Sequence, residues 1–141
     1  MQQYLEFASH HPLLFSALGV VILLFIANEI HANLTGGKRL SIPEAIRLIN
    51  DREPLIVDVR PAADFKRSHL LGAINLPLAK FDDRASELGK DKARPVLLYD
   101  MMGGGAGEAA LKLKKLGHAE AYPLKGGLNG WLGASLPVTA K

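Results

Sequence analysis

The 141-residue chain contains no cysteine. That absence removes disulfides, thiolate metal sites and any thiol nucleophile from this polypeptide. Lysine and arginine are missing before Lys38, and between Phe7 and Asn28 no residue is charged at neutral pH unless His10 or His11 takes up a proton. A cleavable signal peptide needs a basic start and a small-x-small cleavage site. Glu6 is the one charged side chain ahead of the apolar run, and Asn28-Glu29-Ile30-His31-Ala32 is a poor cleavage site, so the run reads as an uncleaved anchor. There is no internal repeat, and Ser16 and Gly19 lack the four-residue spacing by which small residues bring membrane helices together.

What is present divides the chain in two. Residues 12–27 are apolar except for Ser16 and Gly19, and roughly twenty helical residues rise about 30 Å, the thickness of a hydrocarbon core. All seventeen Lys and Arg residues follow this stretch. The positive-inside rule then puts the C-terminal domain in the cytoplasm. The expected organisation is a short extracytoplasmic N-terminus (1–6), a transmembrane helix (7–28), a linker ending in Gly36-Gly37 (29–37) and a folded domain (38–141). From Lys38 onward the seventeen basic residues face twelve acidic ones, a net of +5. That balance suits solubility or attraction to anionic headgroups; nucleic acid is not an expected partner, because the basic residues are neither interleaved with aromatics nor gathered in one run. His10 and His11 read as interface anchors or metal ligands, and no metal or other cofactor is expected.

In the folded part, residues 39–42 read as a first edge strand, and Ser41, Pro43 and Glu44 as the start of a helix. Leu-Ile-Val-Asp-Val-Arg (55–60) is a second strand stopped by Pro61, and residues 72–77 hold a turn and a short third strand. Residues 78–88 are amphipathic, with Phe81, Ala85 and Leu88 at helical spacing. Pro95 precedes the unbroken apolar run Val-Leu-Leu-Tyr (96–99), the pattern of a strand buried on both faces of a parallel sheet. A helix follows from Glu108 to Leu116, with Ala109, Leu113 and Leu116 facing inward and Gly117 closing it, and residues 121–124 form a fifth strand. Strands alternating with helices predict an α/β three-layer domain with right-handed crossovers and a mainly parallel five-stranded sheet.

The chemistry centres on the loop after the 96–99 strand: Asp100, Met101, Met102, Gly103, Gly104, Gly105 and Ala106. Backbone N–H groups converging at a helix start make an anion site, and the residue at its mouth is a carboxylate. Asp100 reads as a cap on the loop amides, as an aspartyl nucleophile, or as a ligand for a metal or small molecule. The nucleophile reading lacks cationic help, since residues 101–106 include no basic side chain. Asp58 and Arg60 read as an internal hydrogen-bonded pair or as part of a site beside Asp100. His69 reads as a buried hydrogen-bonding histidine or as a base. Met101 and Met102 are either adaptable apolar arms for a partner or an ordinary exposed loop, and Trp131 is core packing.

The motif order 55–60, Asp64-Phe65, Ser68-His69-Leu70-Leu71-Gly72-Ala73-Ile74-Asn75-Leu76-Pro77, 96–99, Leu124-Lys125-Gly126-Gly127 and Gly130-Trp131 resembles the rhodanese-like domain from about Lys38 to the C-terminus. With the anchor in front, the whole is similar to single-pass rhodanese-like proteins of bacterial inner membranes. The resemblance implies that the residue after the central strand is a cysteine, carried as a persulfide in a cradle of loop amides, often beside an arginine. By position that cysteine falls on Asp100, so no catalytic residue is expected. The resulting expectation is a catalytically inactive adaptor that binds another membrane or membrane-associated protein. The alternatives are a tethered enzyme using Asp100, assisted by Asp58 or His69, or a sulfur carrier whose thiol comes from a partner.

Overall fold

The structure, a computed structural model, describes residues 1–35 and 37–140, in two compact units that divide after Thr35. The first holds α1 (Gln2–His10) and α2 (Pro12–Thr35). His11 sits between them at φ −131°, ψ 56°, because a residue preceding proline is pushed out of the helical region, while Pro12 suits a helix start. The expected single helix 7–28 is therefore two, with residues 7–10 in α1. The linker expected at 29–37 is helical through Thr35, since no proline or glycine interrupts 29–35. Gly36 lies outside the described residues, and Gly37 has a positive φ of 68°. Within α2, the twenty residues Pro12–His31 include an 18-residue stretch of mean hydropathy 2.3, long and apolar enough to cross a membrane.

The second unit is an α/β domain. Its elements are α3 (Ile42–Arg52), β1 (Leu55–Asp58), α4 (Ala62–Arg67), β2 (Ile74–Asn75), α5 (Phe81–Arg84), β3 (Val96–Tyr99), α6 (Gly104–Lys115), β4 (Ala121–Pro123) and α7 (Gly127–Gly133). The sheet has four strands, not five, all parallel and ordered β2-β1-β3-β4. Residues 39–42 contribute one parallel bridge, Leu40 to Leu124, held by the Leu40 N–H on Pro123 O (2.9 Å) and the Lys125 N–H on Leu40 O (2.8 Å). The strand goes no further because Ser41 is already a helix cap: its Oγ accepts from the Glu44 N–H and the Glu44 carboxylate from the Ser41 N–H, a reciprocal box that commits the backbone to α3. Pro43 is the second helical residue.

Two apolar layers flank the sheet. Val57, Val96 and Leu98 pack with Phe81, Ala85, Leu88, Ala109 and Leu113 on one face, and Ile56, Leu97 and Tyr99 with Ala45, Leu70, Leu124, Leu128 and Trp131 on the other. The amphipathic segment 78–88 buries Phe81, Ala85 and Leu88 as expected but is not one helix. The four residues of α5 lie between 3₁₀ turns, Leu78–Lys80 and Ala85–Leu88. Asp82, Asp83 and Ser86 are weak helix formers, and i to i+3 spacing keeps the same side chains inward. Leu116, expected inside, is half exposed because α6 ends at Lys115 and Gly117, at φ 96°, turns the chain away. Consecutive strands β1 and β2 lie on one side of the β1/β3 junction and β3 and β4 on the other, so that junction is the switch point of the sheet, where open α/β sheets form their crevice.

Past α6, His118 is 5% exposed; burial, with a smaller contribution from Lys92, holds its imidazole below the ordinary histidine pKa. A depressed folded pKa means that the unfolded chain takes up the proton first, so the stability gained from neutral His118 is present above about pH 6.5 and fades as pH falls through the folded value. The urea midpoint of the full chain in detergent is expected to drop between pH 7.5 and pH 5.5 by more in the wild type than in His118→Gln; equal drops would place the acid sensitivity elsewhere.

Candidate functional site

Tyr99 ends β3, and the chain enters the loop at Asp100. Its carboxylate turns back into the loop. Oδ2 accepts from the Gly105 N–H at 2.6 Å, and Oδ1 accepts from the Gly103 N–H. These are donors left unpaired at the start of α6, where the helix dipole also favours negative charge. Gly103, at φ 112°, supplies the left-handed turn that brings its own amide round to the carboxylate.

The main chain of the loop is fixed from two sides. The N–H groups of Leu128 and Asn129 in α7 bond the carbonyls of Asp100 (2.8 Å) and Met101 (3.0 Å). A Cβ on Gly127 would lie 2.5 Å from Asp100 O, so only glycine allows this approach. From the opposite end of the domain sequence, Arg39 donates from Nη1 to Gly103 O at 2.8 Å, 64 residues away. A Cβ on Gly107 would lie 2.8 Å from Arg39 Nη2, so a side chain there would have to displace the guanidinium. Residues 101–106 contain no base, yet a cation reaches them; Arg39 carries no signal in the sequence that would have revealed this.

The loop borders a cleft of about 420 Å³ lined by Val59, Arg60, Pro61, Asp64, Leu78, Asp100, Met101, Met102 and Gly105. Met101 is 42% and Met102 68% exposed, and the Asn129 amide reaches Met102 Sδ at 2.9 Å. Of the residues singled out from the sequence, Arg60 reaches this cleft, while Asp58 and His69 do not line it. Asp58 is fully buried and Arg60 nearly so. Arg60 Nη2 and Nε bond Asp58 Oδ2 and Oδ1 at 2.6 Å and 3.0 Å, and Nη2 also reaches Ser68 O at 2.6 Å. Burial works against the guanidinium charge, but Asp58 outweighs it and the Arg60 pKa is raised.

Around this pair, Asn75 Nδ2 donates to the carbonyls of Asp58 (3.1 Å) and Arg60 (2.9 Å), and Tyr99 Oη accepts from the Leu70 N–H at 3.0 Å. Burial pushes the Tyr99 phenol above its ordinary range, against the Leu70 bond that favours phenolate. The ends of β1, β2 and β3 are thereby tied into one buried network. His69 stacks on Phe65 with ring centroids 3.9 Å apart, its Nδ1 lies 2.7 Å from Phe65 O, and its backbone bridges to Thr139, so it ties the end of α4 to the C-terminal segment. Trp131 is 7% exposed in the core, its Nε1 donating to Pro137 O at 3.0 Å. His10 Nδ1 is 2.8 Å from Glu6 O within its own helix. Among the described residues no group of three or more His, Asp or Glu side chains is placed to hold a metal ion.

A three-layer parallel α/β domain with a cradle of loop amides at its switch point is the class that this geometry defines. The rhodanese-like domain profile matches residues 41–134, more than half of the chain, and the chain belongs to that family. Over 139 residues it is 34% identical to the uncharacterized protein YibN of Escherichia coli K12, spanning 98% of this chain and 97% of YibN. Over 94 residues it is 33% identical to the thiosulfate sulfurtransferase GlpE of Coxiella burnetii, spanning 67% of this chain and 86% of GlpE. Among solved structures, a thiosulfate sulfurtransferase from Pseudomonas aeruginosa is similar with a TM-score of 0.66 and 29% identity, over 74% of this chain and 20% of that one.

Removing one member of the buried pair strands the other charge, so Arg60→Ala is expected to destabilise the domain by about 3–5 kcal/mol. A paired Asp58→Leu, Arg60→Met replacement is expected to lose clearly less; denaturant melts of the three proteins measure the difference. Asp100→Ala deletes a loop cap and is expected to cost about 1–2 kcal/mol, with faster amide exchange at Gly103 and Gly105.

Proposed function

We propose that this chain is a membrane-anchored, catalytically inactive rhodanese-like protein. In this reading α2 spans the bacterial inner membrane with the N-terminus outside, and the domain from Lys38 acts at the cytoplasmic face as an interaction module for another membrane or membrane-associated protein. One observation carries the reading: the place where a catalytic anion would sit is occupied by the chain's own Asp100 carboxylate, bonded to Gly103 and Gly105. The absence of cysteine agrees with it. Tethering raises effective concentration toward other membrane proteins without any new contact, which gives an anchor a use in a protein that turns nothing over.

An aspartyl nucleophile is poorly supported. Both Asp100 oxygens are engaged by the loop, the Arg60 guanidinium is bound to Asp58, and Arg39 is spent on the Gly103 carbonyl, so among the described residues the cleft lining offers no uncommitted cation to stabilise a transferring phosphoryl group. The full chain in detergent is expected to show no thiosulfate:cyanide sulfur transfer and no Asp100-dependent phosphoesterase activity. Asp100→Cys is expected to gain the mass of one sulfur on exposure to thiosulfate, because the amide cradle persists. Turnover by the wild type in either assay would overturn the proposal.

A further inference from the structure

The cleft beside Asp100 combines an apolar lining with an unusual charge balance. Val59, Pro61, Leu78, Met101 and Met102 supply its walls. Gly105 lies at its floor, where a Cβ would come within 3.3 Å of Leu78 and 3.9 Å of Val59. Arg60 is its one cationic wall residue, and that charge is compensated by the fully buried Asp58 at 2.6 Å. Two carboxylates remain, Asp100 and Asp64. The nearest countercharge to Asp64 is Arg67 at 3.9 Å, a largely exposed side chain, and such surface pairs contribute little. The opening is therefore apolar with a negative rim.

That chemistry excludes several occupants. An oxyanion, a nucleotide or an anionic lipid headgroup meets two carboxylates and finds the Gly103 and Gly105 donors already taken. At about 420 Å³ the cleft is at the small end of the ~300–1,000 Å³ range of ligand sites, suited to one or two side chains. Exposed methionines adapt to apolar groups of varied shape.

Resting on the adaptor reading, we infer that the cleft receives a segment of a partner protein that inserts a large aliphatic side chain between Leu78 and the two methionines and sets an arginine or lysine beside Asp64 and Asp100. The aliphatic group supplies the buried area, and the cation selects the partner through complementary charge.

The chain's three methionines, Met1, Met101 and Met102, make the test direct. Full-length protein with ¹³C-methyl methionine, in nanodiscs of zwitterionic lipid, is titrated with capped peptides Gly-Leu-Arg-Leu-Gly and Gly-Leu-Glu-Leu-Gly; Met101→Leu and Met102→Leu assign the signals. The Met101 and Met102 methyls are expected to move with the arginine peptide at roughly tenfold lower concentration than with the glutamate peptide, a difference of about 1.4 kcal/mol. Asp64→Lys is expected to reverse that order and Asp64→Asn to narrow it. Asp64 is half exposed, and unchanged Gly103 and Gly105 amide shifts confirm that each variant keeps the loop. Equal response to both peptides, no response, or a preference that survives Asp64→Lys would overturn the inference. Sulfur transfer or phosphoester cleavage by the wild type would overturn the adaptor reading instead, so the two failures are told apart.

Discussion

Gly103 and Gly105 point their N–H groups at one spot where α6 begins, and the chain fills that spot with its own Asp100. Unpaired amide donors and the helix dipole make such a position a favourable place for an anion. With the anion built in, the loop has a settled shape without any ligand. Its main-chain carbonyls then line up with the amides of α7, and its two methionines are left exposed along the cleft that they help to line. The position of α7, the direction of Met101 and Met102, and the use of Arg39 as a clamp on Gly103 all follow from where that carboxylate rests.

The Asp58 and Arg60 pair does for the opposite wall what Asp100 does for the loop. Buried charges are tolerated when paired and fully hydrogen-bonded, and here the pair, Asn75 and Tyr99 join the ends of three neighbouring strands. The wall that carries Val59 and Pro61 is held by this network. A surface held in advance loses little freedom when something docks on it, and the adaptable part is confined to two thioether side chains.

The legible parts of the sequence were those where local chemistry and global fold agree. The apolar runs at 55–60 and 96–99 announced strands, the first of which ends at Asp58 rather than Arg60, and the Ser41, Pro43, Glu44 grouping announced a helix start. The glycine run after Asp100 announced a cradle for backbone donors. The first edge strand was misread because residues 39–42 have strand character while Ser41 already belongs to a capping box, and the cap won. The single helix read at 78–88 failed for a related reason: apolar spacing is satisfied by 3₁₀ turns as well as by α-helix. The site was legible at Asp100 and in part at Arg60, whose pairing with Asp58 was one of two readings left open. Arg39 and the cleft walls Pro61, Asp64 and Leu78 were not legible, since their roles come from distant segments meeting at the β1/β3 switch point and leave no pattern in any one window.

The sheet's margins have a further consequence. β2 has only two residues; β4 carries Pro123, which has no N–H to offer, and its outer side is occupied by the single bridge to Leu40. Long open edges invite strand-to-strand aggregation, and short, interrupted ones resist it. If α2 anchors the domain as proposed, copies confined to one plane meet far more often than copies dispersed in a volume, and a sheet with blunted margins can be crowded there without polymerising.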